Sequence, residues 1–320
     1  MSSPSRRVRV QDDLAHRVSS LFFHGLSRAG RLHPHSDPRR HRVEVIRDLR
    51  YASGDCADHV LDVYRPTGRP GPLPIVFYAH GGAFRILSKD THWLMGLAFA
   101  RHGYLVVNIS YRLAPRHPFP AAIDDTCQAW MWLLREAERL GGDLGRIAVA
   151  GESAGGNLIT ALTLAACQQR DEPFARAVFD AGVVPRAALP FCAMLEVSRP
   201  ERFARRPMPS WVLGMLRGTS TSYLQAAPEG HGRDLADPLV VFERGDRLDR
   251  RLPPFFAPVG TKDPLLDDTR RLEKALADLG VPCEARYYPG GIHAFHALVW
   301  QPLAKHCWRD ALAFLDRHVR

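Results

Sequence analysis

Residues 146–157, Arg-Ile-Ala-Val-Ala-Gly-Glu-Ser-Ala-Gly-Gly-Asn, constrain the fold more than any other stretch of the chain. An apolar run over 147–150 breaks at Gly-Glu-Ser-Ala-Gly and resumes at once as a helical pattern from about Ala154. A strand that becomes a helix within so few residues must reverse sharply, which pins the residue at the tip, Ser153, in a strained region of φ/ψ space. Gly151 and Gly155 stand where a side chain would collide with that turn. Gly-x-Ser-x-Gly alone is a weak pattern, because two glycines flanking a serine arise by chance. The surrounding chain has to supply the context.

At 320 residues the chain has room for one large α/β domain or two small ones, and for a substantial core. Its 46% apolar and 24% charged content is that of a globular protein. The net charge of +9 is concentrated at one end: the first 50 residues hold 11 arginines against 5 acidic residues. The remainder is nearly balanced and shows no basic stripe interleaved with aromatics, so no nucleic-acid partner is expected. Six cysteines, at 56, 127, 167, 192, 283 and 307, show no Cys-x-x-Cys spacing and no clustering with histidine. They read as free, mostly buried thiols, with neither a metal site nor a disulfide scaffold. The apolar piece at 21–26 is too short for a signal peptide's core, and no 18-residue apolar run exists. A soluble, cytoplasmic protein without a membrane partner is the expectation.

Along the chain, residues 8–28 have apolar positions near helical spacing and are followed by a Pro/His/Arg-rich connector. Strands are expected over 43–49 and 59–64, with Gly54-Asp55 between them as a turn, and then over 75–79, ending at His80-Gly81-Gly82. From there the pattern alternates: helix 90–102, strand 105–109, helix 121–140, the elbow strand, helix 154–168, and an apolar stretch near 177–184. It closes with strand 254–259, helix 266–279, strand 283–288 and a terminal helix over 298–318. Repeated βα alternation implies an α/β fold with a mostly parallel central sheet flanked by helices, and an antiparallel hairpin at one edge fits. Residues 185–250 break the rhythm with frequent proline and arginine, and only 211–216 forms a compact apolar cluster. Such an insertion lies over the carboxyl ends of the strands, where ligands bind. The expected organisation is therefore an amino-terminal cap helix and connector over 1–42, and a catalytic domain over 43–320 with a helical cap insertion at about 185–250.

Five motifs occur in order: His80-Gly81-Gly82-Ala83-Phe84; Tyr111 through Ala122, with prolines at 115, 118 and 120; Gly151-Glu152-Ser153-Ala154-Gly155-Gly156; Asp263-Pro264-Leu265; and His293-Ala294-Phe295. This set resembles the hormone-sensitive lipase family of α/β-hydrolases, in its bacterial carboxylesterase branch, over roughly residues 43–320.

The resemblance implies a serine esterase whose nucleophile, acid and base are Ser153, Asp263 and His293, in the chain order expected of that fold. Ester hydrolysis needs a deprotonated nucleophile, a base to take its proton and an acid to hold the base's tautomer. His296 and the acids Asp267 and Asp268 are rivals. The family pattern selects His293, leaving His296 as a helix-start or cap-facing residue, and assigns Asp267 and Asp268 to the opening of the following helix. The backbone N–H groups of Gly81, Gly82 and Ala154 are the candidate oxyanion donors; removing one such donor typically costs about 2.7 to 4 kcal/mol of barrier. Ala83 replaces the family's third glycine, which narrows tolerance for bulky alcohol groups. Glu152 stands where the family often has aspartate and is expected to brace the elbow or a neighbouring loop. The 111–122 segment reads as structural support, and Trp130 and Trp132 as packing. Trp211, Leu213, Met215 and Leu216 are the candidate substrate contacts of the cap, suited to short- to medium-chain acyl esters. No metal or cofactor is expected; the partner is a small-molecule ester, and pairing into a homodimer is compatible with the family. Two other readings stay open: an arylformamidase or amidase using the same triad, and a non-catalytic ligand-binding homologue, against which the presence of Ser153, Asp263 and His293 argues.

Overall fold

Period-two alternation within fully apolar strands decides the architecture. In β3 (Leu73–Ala79) every residue is buried, yet Ile75, Phe77 and Ala79 join one core while Val76 and Tyr78 join another. A strand buried on both faces belongs inside a sheet covered by helices on each side. The computed structural model describes residues 36–227 and 230–320, together with Gly25, Ser27, Gly30 and His33. Apart from Gly25 and Ser27, both helical, the amino-terminal helix expected over 8–28 lies outside the described residues.

The other strands are β1 (Val43–Arg50), β2 (Val60–Pro66), β4 (Leu105–Ile109), β5 (Gly142–Glu152), β6 (Ala187–Phe191), β7 (Phe255–Gly260) and β8 (Cys283–Tyr288). They form one eight-stranded sheet in the order β1-β2-β4-β3-β5-β6-β7-β8. β2 runs antiparallel to both of its neighbours and all other pairings are parallel. The expected hairpin is thus β1–β2 at one edge. Helices α1 (Trp93–Arg101) and α8 (Pro302–His318) cover one face with Phe99, Trp308 and Phe314. Helices α2 (Ala121–Glu136), α3 (Ala154–Cys167), α4 (Pro173–Asp180), α6 (Pro238–Arg244) and α7 (Leu266–Asp278) contribute to the core on the other. α3 is buried along its whole length, as an all-round apolar helix must be. Trp130 of α2 packs edge-on against Phe77, and Trp132 is buried too, so both tryptophans serve packing.

Two expectations differ from the structure. The apolar stretch near 177–184 belongs in part to α4, whose Ala175 and Val178 face the core at helical spacing. The insertion expected to begin at 185 contains β6 in its first residues, paired to β5 from Ala148↔Ala187 to Glu152↔Phe191. The chain leaves the sheet only after Phe191, makes a short 3-10 helix (Pro200–Arg205) and α5 (Ser210–Tyr223), and returns at α6.

Both ends of this excursion are tied down beside the elbow. Asn157 Nδ2 donates to the carbonyls of Met194 and Ala236, each at 2.8 Å. Asp237 Oδ1 accepts from the N–H groups of Val197 and Ser198 at 2.5 and 3.0 Å. Buried Asp268, in the first turn of α7 as expected, accepts from Leu195 N–H at 2.8 Å and from Arg202 at 2.5 and 2.6 Å. Burial raises the Asp268 pKa against the pull of Arg202, so its ionised form depends on these donors. Asn157→Ala strips the donor from two buried carbonyls, and urea denaturation should show about 2 to 4 kcal/mol of lost stability; an unchanged midpoint would show that the Asn157 clamp contributes nothing.

Candidate active site

All five motifs converge on the carboxyl edge of the sheet, because each follows the end of a parallel strand or opens the helix after it. β5 ends at Glu152, and Ser153 takes φ +53° and ψ −115° before α3 begins. Non-glycine residues hold such angles only where the surroundings over-determine them. Here the surroundings are backbone: a Cβ on Gly155 would lie 2.1 Å from the carbonyl oxygen of Ala79, and one on Gly151 2.5 Å from that of Gly155. Ser153 N–H donates to Phe191 O at 2.9 Å, and its carbonyl accepts from Met194 N–H at 3.2 Å. Ser153 Oγ has no hydrogen-bond partner among the described residues and stands at the amino end of α3, where the helix dipole favours negative charge.

The loops carrying Asp263 and His293 are joined by the same device. A Cβ on Gly260, at the end of β7, would lie 2.1 Å from Gly291 O, and Lys262 N–H donates to that carbonyl at 2.9 Å. This puts Asp263 beside His293: the ring Nδ1 bonds Asp263 Oδ2 at 2.9 Å and Oδ1 at 3.1 Å. Asp263 is fully buried, and Leu265 N–H donates to its Oδ1 at 2.8 Å. Arg206, from the excursion, donates to the carbonyls of Asp263 and Thr261 at 3.0 and 3.1 Å. It is a support that the sequence did not single out.

The loop after β3 is held from three sides. Tyr111 O–H donates to His80 O at 2.8 Å, and the two rings stack at 4.2 Å. Burial drives the His80 pKa down to about 3, so its ring is a neutral stacking surface. Gly82 adopts φ +116°, and a Cβ there would meet Ile86 O at 2.1 Å. Phe84 stacks on Tyr223 of α5 at 3.8 Å, Phe119 N–H donates to Tyr223 O at 2.7 Å, and Arg112 bonds Asp125 at 2.6 Å. The 111–122 segment therefore supports the Gly81-Gly82 turn and the excursion, as its prolines suggested. No backbone acceptor for the N–H of Gly81, Gly82 or Ala154 is found among the described residues.

Glu152 is more than a local brace. Its carboxylate accepts from Tyr78 O–H at 2.8 Å, from His296 Nε2 at 3.1 Å and from His92 Nε2. His296, expected at a helix start or facing the cap, lies in a short 3-10 helix (Phe295–Ala297) and is buried against Glu152. The sequence also gave no hint of Cys192. Its Sγ, one ring nitrogen of His293 and one carboxylate oxygen of Asp263 lie within 4.8 Å of one another, so one cysteine does cluster with a histidine. The 2.9 Å Nδ1–Oδ2 contact is shorter than the ~3.3 Å separating two ligands of a tetrahedral zinc. The triangle is closed by a hydrogen bond, not open for an ion.

The four apolar candidates of the cap are not equivalent. Leu216 is buried and Leu213 half-buried, whereas Trp211 and Met215 are exposed, Trp211 by 70%. A cavity of about 540 Å³ lies at the opposite edge of the sheet, lined by Arg69, Arg146 and Arg320, and holds no nucleophile.

A sheet of this order, with a strained serine after β5 and an Asp–His pair on the loops after β7 and β8, defines an α/β-hydrolase. A sequence model described as the α/β hydrolase fold matches residues 76–297. The chain is 33% identical to carboxylesterase NlhH of Mycobacterium tuberculosis over 266 residues, covering 81% of this chain and 78% of that protein. It is 32% identical to esterase LipI of the same organism over 248 residues, covering 73% and 69%. Among solved structures, a bacterial heroin esterase superposes with a TM-score of 0.70 at 25% identity, covering 87% of this chain and 84% of that one. The chain belongs to the hormone-sensitive lipase family of α/β-hydrolases. Among the described residues, no helix is long and apolar enough to cross a membrane.

His293 carries a shifted pKa. Burial works against its charged form, but Asp263 and Cys192 outweigh it and hold the imidazole well above its ordinary pKa; the 36% exposure of its side chain lets solvent moderate the effect. A His293 that acts as base to Ser153 must be neutral, so the rate at which a serine-directed phosphonate labels Ser153 should rise with pH through a midpoint above the ~6.5 of a free imidazole. Asp263→Asn removes the raising partner, so the midpoint should fall while the rate drops by up to about ten-thousand-fold. A wild-type midpoint at or below the free-imidazole value would contradict the pairing.

Proposed function

We propose that the chain is a serine carboxylesterase that cleaves short- to medium-chain acyl esters through an acyl-enzyme intermediate, with Ser153 as nucleophile, His293 as general base and acid, and Asp263 as its orienting carboxylate. The Asp263–His293 pair, set on the same sheet edge as the strained Ser153, is the observation that carries the reading. The names of NlhH and LipI, a carboxylesterase and an esterase, support the reaction class.

The chemistry follows from the geometry. Nδ1–H of His293 is committed to Asp263, which leaves Nε2 as the acceptor for the serine proton. As Oγ bonds to the ester carbonyl carbon, that proton passes to Nε2, and the carbonyl oxygen becomes an oxyanion facing the N–H groups of Gly81, Gly82 and Ala154. Collapse breaks the carbon–oxygen bond to the alcohol, which leaves with the proton from Nε2. Water then repeats the sequence on the acyl-serine, releasing the acid and restoring Ser153.

Cap residues 192–237 supply the substrate contacts in this reading. The excursion touches the oxyanion loop through Tyr223 on Phe84 and the acid loop through Arg206, so it spans the edge on which Ser153 stands. Exposed Trp211 and Met215, one turn apart on α5, form an apolar flank that an acyl chain would cover, while Leu213 and Leu216 pack toward the core.

With p-nitrophenyl butyrate the wild type should release a burst of nitrophenol followed by steady turnover, and Ser153→Ala should lose both, by roughly 10³-fold or more. Full activity in Ser153→Ala would sink the proposal. A panel of acyl lengths should favour short to medium chains, and Trp211→Ala should raise KM with little effect on kcat. Turnover of N-formylkynurenine far above that of simple esters would instead establish the formamidase reading.

A further inference from the structure

We propose that Glu152 is a positioning residue that locks three segments of the site into one register, with His92 and His296 as its arms. This deepens the esterase reading and rests on it for its rate measurements.

Glu152 is the last residue of β5 and the immediate neighbour of Ser153. Its carboxylate reaches His296, three residues beyond His293, at 3.1 Å, and His92, at the amino end of α1. The side chain also lies under the oxyanion loop: a Cβ on Gly81 would come within 2.9 Å of Glu152 Cγ. One carboxylate thus contacts the serine elbow, the histidine loop and the Gly81-Gly82 turn. None of these segments is a neighbour of the others in sequence; His92 and His296 stand 60 and 144 positions from Glu152.

Each arm is itself fixed. His92 Nδ1 meets Thr91 Oγ1 at 2.9 Å, and its ring stacks on that of His80 at 5.4 Å. The His296 carbonyl accepts from Trp308 Nε1 at 3.0 Å, and its ring packs on Phe191 at 4.7 Å. The groups facing Glu152 are Tyr78 from β3, His80 and Gly81 from the loop after it, His92 from α1 and His296 from the loop after β8, with Tyr111 and Cys192 farther out. Burial works to raise the Glu152 pKa, but His92 and His296 outweigh it and hold the carboxyl ionised; Glu152 in turn raises His92 against burial. A buried charge with three donors is rigid, because moving any arm leaves it unpaired. A displacement of about 1 Å in a catalytic group can cost about a hundredfold in rate.

The test uses the full chain and p-nitrophenyl butyrate, with active sites counted by phosphonate titration so that kcat refers to folded, reactive molecules. His296→Ala should lower kcat by about ten- to a hundredfold with KM within about twofold of wild type. His296→Gln, which keeps an N–H donor, should recover most of that loss. The double variant Glu152→Gln/His296→Ala should be no slower than the slower single one, the signature of a shared interaction. Should His296→Ala fail to fold, the comparison of His92→Gln with His92→Leu carries the same prediction. If kcat per titrated site is unchanged and only the melting temperature falls, or if His296→Gln is as slow as His296→Ala, the positioning role is overturned. A wild type that reacts with phosphonate but turns over no ester would sink the esterase reading alone, and the phosphonylation rate would then test the brace.

Discussion

The structure depends on one close approach of backbone to backbone, the amino end of α3 against the carboxyl end of β3. With a Cβ on Gly155 only 2.1 Å from Ala79 O, the first turn of the helix lies directly on the strand end, and no other residue type fits there. That contact fixes where Ser153 stands, between the end of β5 and the first turn of α3, and goes with the unfavourable φ of the serine. The strain is held because β3 and β5 are registered Ala79↔Gly151 deep in a sheet buried on both faces, where neither strand can slip without turning its apolar side chains the wrong way.

The same device recurs on the other side of the site. Gly260 and Gly291 bring the loops after β7 and β8 into backbone contact, and the Asp263–His293 pair follows from it. Side chains then connect the two halves: Asn157 holds both ends of the excursion against α3, Asp268 holds its start against α7, and Arg206 reaches from it to the loop carrying Asp263. The excursion is therefore anchored at its ends and carries its exposed apolar residues on α5 between those anchors.

What could be read from the sequence follows this division. Strands with continuous apolar runs and helices with clear periodicity were legible because burial on both faces, or along one stripe, leaves a pattern. So were the glycines of the elbow. Ala187 to Phe191 was absorbed into the insertion because a five-residue strand containing Pro190 and followed by an irregular segment carries no such pattern. α4 was seen only as an apolar stretch because eight residues give barely two turns of periodicity. Arg206 was illegible for another reason: its acceptors are backbone carbonyls, which have no signature in sequence. Cys192 and the arms of Glu152 come from distant segments, and only the folded sheet brings them together.

Two buried carboxylates paired with histidines lie within this site, and the difference between them argues which histidine moves protons. Glu152 binds rings whose side chains are 10% and 2% exposed, those of His92 and His296, and its other partner is Tyr78. In that cluster Nε2 of each histidine is committed to the carboxylate, so a proton lost there breaks the bond that holds the segment. Asp263 binds a ring that is 36% exposed and engages it through Nδ1 alone. A general base needs a nitrogen that can gain and lose a proton without dismantling its own support. In the proposed mechanism His293 is the histidine that fits this condition and His296, three residues away, is not, because the carboxylates occupy different ring nitrogens.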